Sequence, residues 1–164
     1  ELEKRVMKAT FYMVGDNVRK HPALARAVVS AGHQLGNHTY HHLSGWKTST
    51  QTYLEDVAAC DAILADTVGE KPRFFRPPYG WMSPGQAKGI ESTKRIVMWN
   101  LLSYDFDSRE SSEILIRECA SRTAPGTIVV FHDQQKTQAQ LKKVLPDYLD
   151  FLVGEGYTTQ LLEG

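Results

Sequence analysis

Three of the chain's six histidines fall within five residues, in Gly36-Asn37-His38-Thr39-Tyr40-His41-His42. Neutral imidazole is the commonest protein ligand for zinc-like metals. If the segment forms one helical turn, His38 and His42 stand four residues apart on one face and can share an ion. A polar turn whose histidines cap a helix or face water is the plainer alternative. The paired spacing after Gly-Asn favours the metal. Two imidazoles do not complete a catalytic zinc site, which takes at least three protein ligands.

Three further residues carry chemistry, each close behind a predicted strand. Arg76 opens Arg76-Pro77-Pro78-Tyr79-Gly80, where the prolines impose a rigid turn and make the arginine a fixed cation. Asp105 follows Trp99-Asn100-Leu101-Leu102-Ser103-Tyr104. His132 ends Thr127-Ile128-Val129-Val130-Phe131, the most apolar run of the chain. A histidine there needs a polar partner, and a carboxylate favours its protonated form. The plain alternatives are a surface ion pair for Arg76 and a turn or cap for Asp105. Asp133 reads as a turn residue.

These residues need a scaffold in which strand ends converge. Strand-like runs are predicted at Ala9–Val14, Gln34–Asn37, Phe74–Phe75, Arg95–Leu101, Thr127–Phe131 and Tyr157–Leu162. Helical patterns separate them. One ends near Val6 and one spans Pro22–Ala31. Another is capped at Thr48 or Ser49 and runs to about Val68. Ser83-Pro84 opens a short helix, and Ser111 caps one that ends at Arg122. A last helical stretch restarts at Pro146 and runs to Val153. Strand and helix alternate throughout, which predicts an α/β domain with a parallel sheet, its reactive groups beyond the carboxyl ends of the strands. No repeat or linker divides the chain.

The bulk numbers agree with a globular domain. The 164 residues are 41% apolar and 23% charged, enough for a sizeable core. Lysine plus arginine and aspartate plus glutamate both total 19, so the formal charge of zero gives no basis for a nucleic-acid partner. No apolar run is long enough for a transmembrane segment. Cys60 and Cys119 are read as two buried free thiols rather than a disulfide.

In order and spacing these stretches resemble the polysaccharide deacetylase family, carbohydrate esterase family 4. The carrying segments are Ala9-Thr10-Phe11-Tyr12 with Gly15, His38-Thr39-Tyr40-His41-His42, Arg76-Pro77-Pro78-Tyr79-Gly80, Trp99-Asn100 through Asp105-Phe106, Val130-Phe131-His132-Asp133, and Gly156-Tyr157 with Leu161. The resemblance covers nearly the whole chain. It implies a distorted (β/α) barrel and a metal-dependent hydrolase that removes N-acetyl, or O-acetyl, groups from a polysaccharide or oligosaccharide. His38 and His42 would bind a divalent metal, with zinc the first choice and cobalt or nickel as substitutes. His132 would be the general acid, Asp105 would set its orientation and basicity, and Arg76 would orient the catalytic base. The Tyr79 N–H would help hold the oxyanion, while Trp81 and Phe106 would form apolar walls. Phe106 stands where the family often has tryptophan, and Leu102 where many members carry an earlier aspartate.

The family's first motif, a strand ending in Asp-Asp, supplies the base and the third metal ligand. No Asp-Asp pair occurs in this chain. Asp16 comes one strand too late and reads as a loop or helix-start residue. Residues 1–164 are therefore read as a catalytic domain of this type without its first strand, with two unpaired sheet edges. A separate N-terminal fragment or chain is expected to complete it. The alternative is an inactive glycan-binding or assembly module of the same fold; an α/β domain with incidental histidines is a third reading. Acetylated glycans of this kind imply residence in the cell envelope, the periplasm or outside the cell.

Overall fold

The computed structural model describes residues 1–107 and 109–163. They form two compact units. One comprises Lys8–Met98 with the closing residues from Gln160. The other comprises Glu1–Met7 with Trp99–Thr159.

The first unit contains β1 (Thr10–Met13), α1 (Gly15–Lys20), α2 (Pro22–Ser30), β2 (Gln34–Asn37), α3 (Thr50–Val68), β3 (Phe74–Phe75), α4 (Pro84–Glu91) and β4 (Arg95–Ile96). The four strands pair in the order β1-β2-β3-β4, all parallel. The longest helix, α3, is capped by the Ser49 hydroxyl, which accepts from the Thr52 N–H. Its buried residues Tyr53, Val57, Cys60 and Leu64 recur at helical spacing. The same buried face includes Asp56. Two apolar clusters result: Val18, Ala25, Leu35, Cys60 and Leu64 form one, and Tyr53, Val57, Phe75 and Ile90 the other. Burial of each such large side chain contributes about 1.5–3 kcal/mol.

The second unit contains β5 (Leu101–Leu102), α5 (Ser112–Arg122), β6 (Val129–Val130) and α6 (Gln138–Gly154). β5 and β6 pair in parallel. Its core is Met7, Leu101, Cys119, Tyr148, Leu149 and Leu152. Both cysteines are free and buried, as expected. Burial pushes the Cys60 thiol up to about 12 and the Cys119 thiol up to about 11, so neither is a nucleophile near neutrality.

Several elements differ from the sequence expectation, each for a local reason. The opening helix is a single 3₁₀ turn, Glu3–Arg5, stopped by Val6 at φ 55°. Of the two readings of Asp16, loop or helix start, the second holds: α1, whose extent the sequence reading did not give, has Asp16 in its first turn, paired with Arg19 and Lys20. The strand expected over Arg95–Leu101 breaks after Ile96 because the Val97 and Met98 carbonyls accept from the Arg76 guanidinium. Pro146 does not restart a helix but lies inside α6. Val144, Tyr148, Leu149 and Leu152 share its buried face and offset the roughly 3 kcal/mol cost of an internal proline. No strand forms over Tyr157–Leu162. The segment instead holds on through single contacts, with Gln34 Nε2 donating to the Leu162 carbonyl and Arg95 to that of Glu163. Among the described residues no helix is long and apolar enough to cross a membrane.

Candidate active site

The histidine segment follows β2 directly and is not helical. Thr39 and His42 both adopt left-handed backbone, at φ 62° and 58°. Together they fold the loop back so that the His38 and His42 rings meet edge to face with centroids 4.9 Å apart. The helical-turn expectation is thus corrected, while the two imidazoles still come together.

Buried polar anchors hold this loop. Asn37 is 0% exposed. Its amide nitrogen donates to the Val57 carbonyl at 2.8 Å and to Asp61 at 2.7 Å, and its oxygen accepts the Thr39 N–H at 2.8 Å. Asp61 is also paired with buried Lys94. Asp56 accepts the Tyr40 N–H at 2.8 Å and the His41 N–H at 3.0 Å, and it takes the His41 ring through the second carboxylate oxygen. His41 is therefore turned toward α3 rather than toward its neighbouring histidines. Asn37 entered the sequence reading only as part of the Gly-Asn before the histidines, without an anchoring role, and Asp56 was not singled out. The signal for Asp56 was its place on the apolar face of α3, beside Tyr53, Val57 and Cys60.

Asn37→Ala leaves two buried groups, the Val57 carbonyl and the Thr39 N–H, without that partner. Its expected cost is about 3 kcal/mol, read as a lowered urea midpoint at an unchanged slope.

His38 donates its Nδ1–H to the Arg76 carbonyl at 2.7 Å. A carbonyl can only accept, so Nε2 keeps its lone pair, the arrangement seen in metal-bound histidines. Arg76 itself is buried. Its guanidinium bonds to the Val97 and Met98 carbonyls at 3.0 and 2.9 Å and lies 4.1 Å from the Tyr12 ring centroid. Burial lowers its pKa, but from so high a value that it remains a cation. The Tyr12 ring occupies the space a Cβ would need at Gly36, 2.5 Å away, so β2 needs glycine there. Burial also pushes the Tyr12 phenol up to about 12.

The Arg76-Pro77-Pro78 turn forms one 3₁₀ turn at Pro78–Gly80, with Tyr79 at φ 60°. The Tyr79 ring packs 4.8 Å from His42 and 6.3 Å from Trp81. His38, His42, Arg76, Tyr79 and Trp81 therefore form one constellation within the first unit.

Asp105, Phe106 and His132 form a second constellation, within the other unit. Asp105 is 1% exposed. One carboxylate oxygen accepts the His132 Nδ1–H at 2.8 Å and the Ser103 hydroxyl at 2.8 Å; the other accepts the His132 backbone N–H at 2.7 Å. The imidazole is thus gripped by ring and backbone alike, and Thr137 bonds the His132 carbonyl. Phe106 stands edge-on to the His132 ring at 5.1 Å. Tyr104, just before the aspartate, is left-handed at φ 57°. Apart from Val6, every described non-glycine residue with positive φ lies in a loop of these two constellations. Each costs about 1–3 kcal/mol and persists only where the surroundings over-determine it.

A family model described as polysaccharide deacetylase matches residues 1–93, and the chain belongs to that family. A peptidoglycan-N-acetylglucosamine deacetylase of Bacillus cereus is 29% identical over 152 residues, covering 89% of this chain and 55% of that protein. A solved peptidoglycan N-acetylglucosamine deacetylase, in complex with 4-naphthalen-1-yl-N-oxidanyl-benzamide, is similar with TM-score 0.92 and 27% identity, over 98% of this chain and 76% of that one. A pseudoenzyme of carbohydrate esterase family 4 from Bacillus anthracis matches with TM-score 0.87 and 24% identity, over 96% of this chain and 55% of that one, a likeness of fold alone. The chain spans about half the length of that Bacillus cereus relative, and less of several others. The fold expectation, an α/β domain of the carbohydrate esterase family 4 type with parallel strands, holds.

Proposed function

We propose that this chain is the catalytic domain of a metal-dependent deacetylase acting on an N-acetylated glycan, with peptidoglycan the first substrate to test. One observation carries the reading: two imidazoles in edge contact, one with its Nδ1–H committed to a backbone carbonyl, the tautomer that makes Nε2 the electron-pair donor. That is the donor chemistry of a zinc-type site. Among the described residues no group of three histidine, cysteine or acidic side chains stands ready to hold a metal; in this reading His38 and His42 would supply two of the ligands. The third ligand and the general base are proposed to come from a segment outside residues 1–164. The Tyr12 hydroxyl, buried without a partner on the ring that carries Arg76, is the polar atom an incoming carboxylate would satisfy.

A divalent metal held by His38 and His42 would supply Lewis acidity for the acetyl carbonyl and for a water nucleophile at neutral pH. The chain's own residues do the rest. The backbone N–H of Tyr79 supports the oxyanion, held in place by the rigid proline turn. His132 gives the Nε2 proton to the departing amine while Asp105 keeps the other ring nitrogen protonated. Arg76 orients the base, and Trp81 and Phe106 supply apolar walls.

A non-catalytic glycan-binding or assembly module of this fold is the second reading, in keeping with the likeness of fold to a carbohydrate esterase family 4 pseudoenzyme. Acetate release from acetylated glucosamine oligomers separates the two. The complete protein that carries this chain should release acetate, lose that activity in chelator, and regain it with added zinc. Oligomer binding without acetate release in the zinc-loaded protein would leave only the module.

A further inference from the structure

Trp46 was not singled out from sequence and has no part in the chemistry above. It lies in a 3₁₀ turn, Gly45–Lys47, and its indole stacks on that of Trp81 with centroids 4.8 Å apart and planes 12° from parallel. The two rings are 69% and 46% exposed. Two stacked tryptophans left this open gain little for the core, yet the backbone beneath them is tightly fixed. Gln86, itself buried, donates to the Gly45 and Thr48 carbonyls at 2.9 and 3.0 Å and accepts the Ser83 N–H at 2.8 Å. One side chain thus ties the Trp46 turn to the loop after Trp81. Gly45 fits so closely that a Cβ would stand 2.6 Å from the Trp81 carbonyl. A flat, pre-ordered aromatic surface is the result, reached from the histidine pair by an unbroken run of ring contacts, His38–His42–Tyr79–Trp81–Trp46.

We infer that Trp46 is a glycan subsite residue: its outer indole face receives a pyranose ring of the same chain whose acetyl group is at the histidine pair, with Trp81 as its backing. An indole face is electron-rich and apolar. One face of a hexopyranose presents only C–H bonds of matching size and complementary polarity, while its equatorial hydroxyls stay in water. The inference rests on the deacetylase reading for the identity of the glycan, but binding can test it without turnover.

The test is calorimetric titration of the complete protein with N-acetylglucosamine oligomers of one to six sugars. Affinity is expected to rise with length, and Trp46→Ala to flatten that rise, weakening binding of the longest oligomers about tenfold. Trp46→Phe should keep most of the gain, and Leu24→Ala, an exposed apolar position on α2, should keep all of it. Circular dichroism confirms the fold of each variant. The subsite is refuted if the wild-type protein shows no length dependence, if Trp46→Ala preserves it, or if Trp46→Phe behaves as Trp46→Ala. Length-dependent binding that is lost in Trp46→Ala, in a protein that releases no acetate, would overturn the deacetylase reading and keep the subsite.

Discussion

His132→Ala is expected to lower kcat on an acetylated glycan by about 10²–10⁴-fold while leaving the metal content unchanged. The residue sits one short loop beyond β6, and its ring bonds to Asp105 through Nδ1. That bond fixes the tautomer, so Nε2 is the nitrogen proposed to exchange a proton with substrate. Amine expulsion needs a proton because an amide anion is too poor a leaving group. An oxygen leaving group needs it less, so the loss should be smaller on an O-acetyl substrate. Asp105 is buried and also holds the His132 backbone N–H. Asp105→Asn should therefore lower kcat more than it raises KM, since the ring would lose its tautomer rather than the substrate its contacts. Full activity in the His132→Ala enzyme, with acetate measured directly, would remove the acid assignment.

His38→Ala should abolish both metal retention and turnover, with metal affinity falling by at least about a hundredfold, more than the loss of an outer-shell partner. Its Nδ1 is bonded to the Arg76 carbonyl, so Nε2 is the proposed donor, on a ring in edge contact with His42. His42→Ala should act alike. His41→Ala is the internal control: that ring is bonded to Asp56, so its removal should leave the metal in place and only loosen the loop. Elemental analysis of dialysed protein, alongside acetate release, reads both outcomes. Metal retained at the wild-type level by His38→Ala would show that the imidazole pair is not the metal site.

The distribution of backbone strain predicts that these positions tolerate substitution poorly. Thr39, His42, Tyr79 and Tyr104 occupy left-handed backbone that their side chains disfavour. Asn37, Asp56, Asp105 and the proline turn hold them there. Removing an anchor releases strain as well as a hydrogen bond, so anchor variants should lose the site geometry before they lose the fold.

Local pattern was sufficient for much of this. The alternation of apolar runs with capped helices identified the parallel α/β class; Ser83 and Ser111 marked two helix starts at the correct residue, and the choice left between Thr48 and Ser49 falls to Ser49. The candidate residues were legible because chemistry after a strand end leaves polar residues where the apolar run stops: His38 after β2, Arg76 after β3, Asp105 after β5 and His132 after β6. Other features were decided by contacts between distant segments. The break after Ile96 depends on a guanidinium twenty residues earlier taking the next two carbonyls. The continuity of α6 through Pro146 depends on burial on both sides of the proline. The meeting of His38 and His42 required two left-handed residues, which no helical spacing rule foresees and which buried partners on α3 maintain. Trp46 and Trp81 are thirty-five residues apart, and their rings stack where the buried Gln86 clamp and the close fit of Gly45 join the two loops. Residue type and spacing reveal what a side chain can do; which side chains it does it with depends on long-range hydrogen bonds and burial, free energies that exist only once the chain has closed on itself.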